Sequence, residues 1–260
     1  MELFRIENLE FAYSANQPPV LENINLRFFS SDFLAITGAN GGGKSTLIRL
    51  ILGILHPQNP HITRYVKTTQ MGYVPQITQA NPNFAIRAID CITMGLVGGR
   101  TFGFTPKRDK DKARNALSLV GIANLWDRNL NDLSGGQRQR VFIARALVGE
   151  CKILLLDEPS ASVDKQSAEA IFSLLDCLHK SGVGILLISH DVDLASKYAN
   201  KVATLNRTLE WRQNPQNPIQ NELPNPQNPL QNQNPIRTHK SALQRVQNPQ
   251  NPQYLKGANV

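Results

Sequence analysis

Phe33-Leu34-Ala35-Ile36-Thr37 runs straight into Gly38-Ala39-Asn40-Gly41-Gly42-Gly43-Lys44-Ser45. A short apolar strand opens onto a glycine-rich turn, and Lys44–Leu55 then reads as a helix stopped by His56-Pro57. The turn matches G-x-x-x-x-G-K-[ST] in full. Gly38, Gly41, Gly42 and Gly43 leave backbone N–H groups free to wrap phosphate oxygens around Ala39 and Asn40, with the helix dipole behind them. Lys44 then reaches the β- and γ-phosphates, Ser45 offers its hydroxyl to Mg²⁺, and Thr46 assists at the phosphates. A glycine turn can exist without a ligand, but a strand before it and Lys-Ser-Thr behind it argue against that. The motif alone implies a bound nucleoside triphosphate and nothing finer.

Outward from that turn, Phe4–Tyr13 and Leu21–Phe29 alternate apolar and polar residues, as half-buried antiparallel strands do, with Asn16–Pro19 between them. Gln70–Val74, Ile153–Leu156 and Ile185–Ser189 are short apolar runs of buried-strand type. Lys165–Lys180 reads as a helix, and so do Asp109–Val120 and Arg138–Leu147, the latter starting just after Leu133-Ser134-Gly135-Gly136-Gln137. The expected fold is α/β, a P-loop nucleotide-triphosphatase core of the RecA-like kind with an antiparallel β edge. A mostly helical subdomain is expected as an insertion over residues 77–145.

Leu133–Gln137 is followed, one helix length later, by Ile153-Leu154-Leu155-Leu156-Asp157-Glu158. The apolar strand carries Asp157 to the carboxyl edge of the sheet, beside the phosphate loop, where it is expected to hold Mg²⁺ through water. Phosphate loop, LSGGQ segment and an apolar strand ending in Asp-Glu, in that order, resemble the ATPase subunits of ATP-binding cassette (ABC) transporters. The resemblance covers roughly residues 1–211. It implies ATP and Mg²⁺ as cofactors and Glu158 as the base that polarises the attacking water. It further makes Gln76 the glutamine that senses the γ-phosphate or Mg²⁺, and His190 the histidine that contacts the γ-phosphate. Tyr13 matches the aromatic that stacks on adenine, and Asp164 the aspartate of the segment Ser160–Asp164. Ser134, Gly135, Gly136 and Gln137 would cap the ATP held by a second copy, so the resemblance implies a head-to-tail homodimer with two nucleotides between protomers.

Composition agrees with a peripheral ATPase. The chain has 260 residues, 41% of them apolar, with a net charge of +8 and a pI near 9.6. From Arg212 onward Asn, Gln and Pro dominate, half of the 16 prolines fall there, and Arg212, Arg237, Lys240, Arg245 and Lys256 face only Glu222. Asn-Pro pairs recur there, several three residues apart, as at 214–215 and 217–218. That spacing suits polyproline II, and too little apolar surface is present to offset ordering entropy. Residues 212–260 are therefore read as a disordered low-complexity tail. The remaining positive charge includes a run at Lys107, Arg108, Lys110, Lys112 and Arg114. A solvated helix face explains it better than a nucleic-acid groove, and no nucleic-acid partner is expected; weak attraction to anionic lipid is compatible with it. Cys91, Cys151 and Cys177 have no C-x-x-C spacing, and His56 and His61 lack a carboxylate or cysteine to complete a metal set. No run approaches the ~18 apolar residues of a membrane span.

If the chain serves transport, the pore belongs to other subunits. The expected site is the cytoplasmic face of the cell membrane, against integral permease subunits and, indirectly, an extracytoplasmic solute-binding protein. Met71–Gln76, Asn83–Asp90, Met94-Gly95 and Leu205-Asn206-Arg207 resemble the branch serving zinc and manganese uptake; import of an iron chelate or another small solute is the alternative. After about Leu209 the chain departs from that branch. Coiled-coil or zinc-bearing insertions typical of DNA-repair relatives are missing, a translation factor would carry two cassettes, and a catalytically dead cassette would lack Glu158 or His190.

Overall fold

The computed structural model describes residues 1–57, 61–76, 85–96, 106–161 and 163–212; the Asn/Gln/Pro-rich segment beyond Arg212 lies outside them. Strands β1 (Glu2–Phe11), β2 (Leu21–Phe29), β3 (Phe33–Thr37), β4 (Ile62–Arg64), β5 (Met71–Val74), β6 (Ile153–Asp157), β7 (Gly184–Ile188), β8 (Lys201–Asn206) and β9 (Thr208–Arg212) form two sheets. Helices α1 (Lys44–Leu52), α2 (Ala88–Thr93), α3 (Lys107–Leu119), α4 (Gly135–Leu147), α5 (Lys165–Lys180) and α6 (Val192–Tyr198) pack on them.

The larger sheet has the order β5-β6-β7-β3-β8-β9, parallel throughout except for β9. β3, β6 and β7 are buried at every residue, which is why they read as unbroken apolar runs. Their side chains still alternate between faces. Phe33, Ala35, Leu154, Leu156, Ile185 and Leu187 join a core with α2 to α6, while Leu34, Ile36, Ile153, Leu155, Leu186 and Ile188 face α1 and the smaller sheet. That smaller sheet, β2-β1-β4, is antiparallel and covers α1 from outside, with Phe4 stacked on Phe28 at 5.1 Å. Because five of the strands run parallel, their carboxyl ends share one edge, where open α/β sheets generally bind their ligands.

Several expected boundaries move, each for a local reason. The first strand ends at Phe11, so Tyr13 lies beyond it in the following turn. Helix α1 stops at Leu52 rather than Leu55, because Gly53 takes a left-handed φ of 73° and its N–H returns to the carbonyls of Arg49 and Leu50. Arg64 closes the same end, donating to the carbonyls of Ile51 at 2.7 Å and Leu50 at 2.5 Å. Helix α3 begins at Lys107, behind Pro106, rather than at Asp109. Helix α4 begins at Gly135, not Arg138: the signature glycines form its first turn, with Ser134 as N-cap. Within 77–145 the described residues are helices and loops with one antiparallel bridge between Arg87 and Asn129; residues 77–84 and 97–105 are not among them. Arg212 belongs to β9 rather than to the tail.

Candidate functional site

The phosphate loop sits where β3 meets α1. Gly38 has φ 140°, and a Cβ there would lie 2.1 Å from the carbonyl oxygen of Leu205 on the neighbouring strand β8. Only glycine fits so close to another backbone. Gly43, at φ 92°, turns the chain into α1, leaving a Cβ no room beside the Leu21 side chain. Ala39, Asn40 and Gly41 form an exposed rim, whereas Gly42, Gly43, Lys44 and Thr46 are buried. Lys44 Nζ donates to the carbonyls of Gly38 at 3.0 Å and Ala39 at 2.8 Å, which parks its cation in the mouth of the loop. The Tyr13 hydroxyl and Thr46 Oγ1 share a 2.9 Å hydrogen bond, and the ring leans edge-on against Phe11 while 52% of the residue stays exposed. The sequence thus brings a solvent-facing aromatic to the rim of the phosphate loop.

Next along the edge come Asp157, Glu158 and His190. Asp157 is 3% exposed and its Oδ1, among the described residues, has no hydrogen-bond partner. Burial pushes this carboxyl above its ordinary range; the nearby Ser45 hydroxyl opposes the shift, and the Glu158 charge adds to it. A buried oxygen left orphaned beside a hydroxyl and the phosphate loop is the donor set expected of a Mg²⁺ site completed by substrate oxygens and water. Ser45 and Asp157 therefore fit that ion, while Gln76 is engaged with Glu158 through Nε2.

Glu158 has a left-handed φ of 51°, uncommon for a side-chain-bearing residue, and its N–H is tied to the Ile188 carbonyl at 3.1 Å. The turn aims its carboxylate between two neighbours. Gln76 Nε2, beyond β5, donates to Oε2 at 2.6 Å, and His190 Nε2, beyond β7, meets Oε1 at 2.5 Å. The sheet order β5-β6-β7 places these three residues side by side.

The LSGGQ segment forms a second cluster. Ser134 Oγ accepts from the Gln137 N–H at 3.2 Å, and Gln137 Oε1 accepts from the Ser134 N–H at 3.1 Å, a closed capping box. A Cβ on Gly136 would lie 2.8 Å from Ser167 Oγ, so the first turns of α4 and α5 touch through a glycine. Asp164 caps α5, accepting from the Ser167 N–H at 2.9 Å and its hydroxyl at 2.7 Å, which holds its carboxyl below the usual range. An open cavity of about 630 Å³ lies between the starts of α5 and α6, lined among others by Glu158, Lys165, Glu169, His190 and Asp193.

Sequence reasoning did not single out Ser167, the Leu205 carbonyl or Arg138. Arg138 anchors the signature loop by donating to the carbonyls of Leu130 at 3.1 Å and Leu133 at 3.0 Å. The Ser-x-x-Gln spacing of 134–137 was a visible signal for a helix starting at Gly135; the Leu205 contact depends on strand order and had none.

The profile of the ABC transporter family matches residues 21–161. The manganese transport system ATP-binding protein MntB of Bacillus subtilis is 37% identical, over 77% of this chain and 82% of its own. The zinc transport system ATP-binding protein TroB of Treponema pallidum is 35% identical, over 78% and 77%. Among solved structures, an inward-facing metal-chelate type ABC transporter superposes with a TM-score of 0.74 at 33% identity, covering 82% of this chain and 84% of that one. A dimeric bacterial ABC transporter cassette superposes at 0.66 with 25% identity, over 80% and 97%.

Proposed function

This chain belongs to the ABC transporter family, and on that premise we propose that it is the ATP-hydrolysing subunit driving import of a divalent metal ion, zinc or manganese. The relatives named for zinc and manganese transport support the choice of cargo. The single observation that carries the reading is Glu158 held between Gln76 and His190 on the strand edge that also bears the Lys44 loop.

The residues divide the work as follows. Loop N–H groups from Gly38 to Lys44, with Ala39 and Asn40 at the rim, wrap the phosphates, and Lys44 leaves its two carbonyls for phosphate oxygens. The exposed face of Tyr13 stacks on adenine while its hydroxyl stays on Thr46. Ser45, Gln76 and Asp157 would hold Mg²⁺, which neutralises charge on the phosphate oxygens. Glu158 takes a proton from the attacking water once substrate draws Gln76 and His190 away from its carboxylate, and His190 Nε2 is then free for the γ-phosphate.

Ser134, Gly135, Gly136 and Gln137 present N–H groups at the start of α4, a helix long enough for an effective dipole, and Asp164 stands beside them. They serve the nucleotide of a second copy, giving a homodimer that closes on two ATP and opens after hydrolysis. The subunit works at the cytoplasmic face of the membrane against integral permease subunits, supplied by an extracytoplasmic solute-binding protein. No described helix is long and apolar enough to cross a bilayer. Likeness to the metal-chelate type transporter supports a second reading of the cargo, an iron chelate or another small solute.

The test is phosphate release by the purified chain with Mg-ATP, joined to growth of a deletion strain under zinc, manganese or iron starvation. No ATP-dependent phosphate release from the chain, alone or with its permease, defeats the ATPase reading. Growth rescued by chelated iron and not by zinc or manganese defeats the choice of cargo.

A further inference from the structure

Five cations fall within eight positions at the start of α3: Lys107, Arg108, Lys110, Lys112 and Arg114, all exposed. Of the two acids among them, Asp109 is buried and Asp111 alone shares the outer face. The inner face is occupied by Ala113, Ala116 and Leu117, packed in the core that also holds α2 and α4. Some surface cations elsewhere meet carboxylates, as Arg5 does with Glu2, Arg87 with Asp90 and Asp127, and Lys180 with Asp176, while Lys67, Arg128 and Lys165 stand singly; α3 differs in gathering five on one short stretch. Among the described residues no carboxylate lies in ion-pair range of the five on α3.

This array works against the isolated helix. Arg108 with Lys112, and Lys110 with Arg114, are like charges at i,i+4 and repel. Lys107, Arg108 and Lys110 also crowd the first turn, where the helix dipole is already positive. A face shaped only for solubility would mix signs. An anionic surface would relieve both conflicts together.

Trp126 supplies an independent observation. It is 37% exposed, and the Arg114 guanidinium lies 4.7 Å over its ring. Lys107, Lys110 and Arg114 stand at i, i+3 and i+7, so they form one ridge that ends at this indole. Long cationic side chains beside an exposed indole are the combination favoured at the headgroup level of a bilayer. The ridge is convex, on a helix ~20 Å long, and suits a plane better than the groove a nucleic-acid backbone would need.

We propose that the Lys107–Lys110–Arg114 ridge, with Trp126, docks on anionic phospholipid headgroups and so holds the subunit at the membrane surface. This rests on the reading of the chain as a peripheral transport subunit. Exposed cations near an anionic bilayer each add to binding, and salt weakens the sum.

The test is cosedimentation of the full chain with phosphatidylcholine vesicles, with and without about one-third phosphatidylglycerol. Wild type should partition to the anionic vesicles only, and Lys107→Glu/Lys110→Glu/Arg114→Glu should weaken this by about tenfold or more. The matching Gln triple variant should fall between, and Mg-ATP turnover in solution reports that each variant is folded. In a Trp211→Phe background, Trp126 emission should shift to the blue with anionic vesicles alone. Equal partition of wild type and the Glu variant overturns the proposal. So does equal partition to neutral vesicles, or a loss seen only on deleting residues 213–260. Duplex DNA that displaces the vesicles at lower concentration through the same residues also overturns it, in favour of nucleic acid. Vesicle binding through α3 by a chain without ATPase activity would sink the proposed function and leave this surface standing.

Discussion

Glu158 and His190 meet at 2.5 Å across the gap between β6 and β7, while Gln76 reaches the other oxygen of the same carboxylate from β5. The two oxygens that would accept a proton from water are both engaged by these neighbours. Glu158→Gln keeps the shape and loses the basicity. Phosphate release is expected to fall by about 10²–10⁴-fold while ATP-dependent dimers accumulate. Undiminished release in that variant would remove Glu158 as the base. His190→Ala should also slow turnover, yet leave the Kd for Mg-ATP within about threefold, because Lys44 and the loop N–H groups remain.

Asp157 should cost stability for the sake of function. Burial outweighs the lowering influence of the nearby Ser45 hydroxyl, so its folded pKa is raised above the unfolded value. A raised carboxyl pKa means the folded chain holds the proton more tightly, so this group's contribution falls as pH rises from the unfolded pKa through the folded one. Above that window a fixed penalty remains. Asp157→Asn carries no charge and is expected to stabilise the nucleotide-free protein at pH 7 by about 1 kcal/mol, or roughly 2–4 °C in Tm. Mg-dependent turnover should be lost in the same protein. A lower Tm for the variant would show that the carboxylate is well satisfied in the apo state.

Much of this arrangement was legible in the chain. The phosphate loop, the Asp-Glu strand and the buried runs of β3, β6 and β7 all declare themselves, because a parallel strand covered on both faces has to be apolar throughout. The strands β4, β8 and β9 were not read. Ile62–Arg64 is too short for a period, Lys201–Asn206 mixes Lys, Thr and Asn into its apolar positions, and Thr208–Arg212 is an edge strand whose residues stay half-exposed or exposed. The short helices Ala88–Thr93 and Val192–Tyr198 likewise give less than two turns of pattern. What no local pattern contains is the meeting of Gln76, Glu158 and His190, since strand order decides it. Residue spacing says only that each follows a strand.

Tyr13 separates two contributions in one side chain. Its hydroxyl bonds Thr46, and its exposed ring face is the proposed adenine platform. Tyr13→Phe should raise the Kd for Mg-ATP by about threefold or less. Tyr13→Ala removes the platform and should raise it by roughly 5–100-fold, the range of a lost base–aromatic stack. Equilibrium titration with a fluorescent ATP analogue measures both. Equal, small effects would mean that the ring does not touch the base.

Truncation should discriminate sharply between two cut points a few residues apart. β9 pairs antiparallel with β8 from Asn206↔Thr208 to Val202↔Arg212, and β8 supplies the Leu205 carbonyl that packs against Gly38 and Gly42. A chain ending at Arg212 keeps that wall of the phosphate loop and should bind Mg-ATP as the full chain does. A chain ending at Asn206 bares the edge of β8 and uncovers Leu205, which packs in the core with Leu209 and Trp211 beside it. It also loses Arg207, whose N–H reaches the Gly42 carbonyl at 3.3 Å and whose carbonyl accepts from Glu22 at 2.9 Å. Losing that edge is expected to cost about 2–4 kcal/mol of stability and to weaken nucleotide binding with it. Comparable losses at both cut points would mean that residues beyond Arg212 hold the nucleotide site together, against the role assigned to β9.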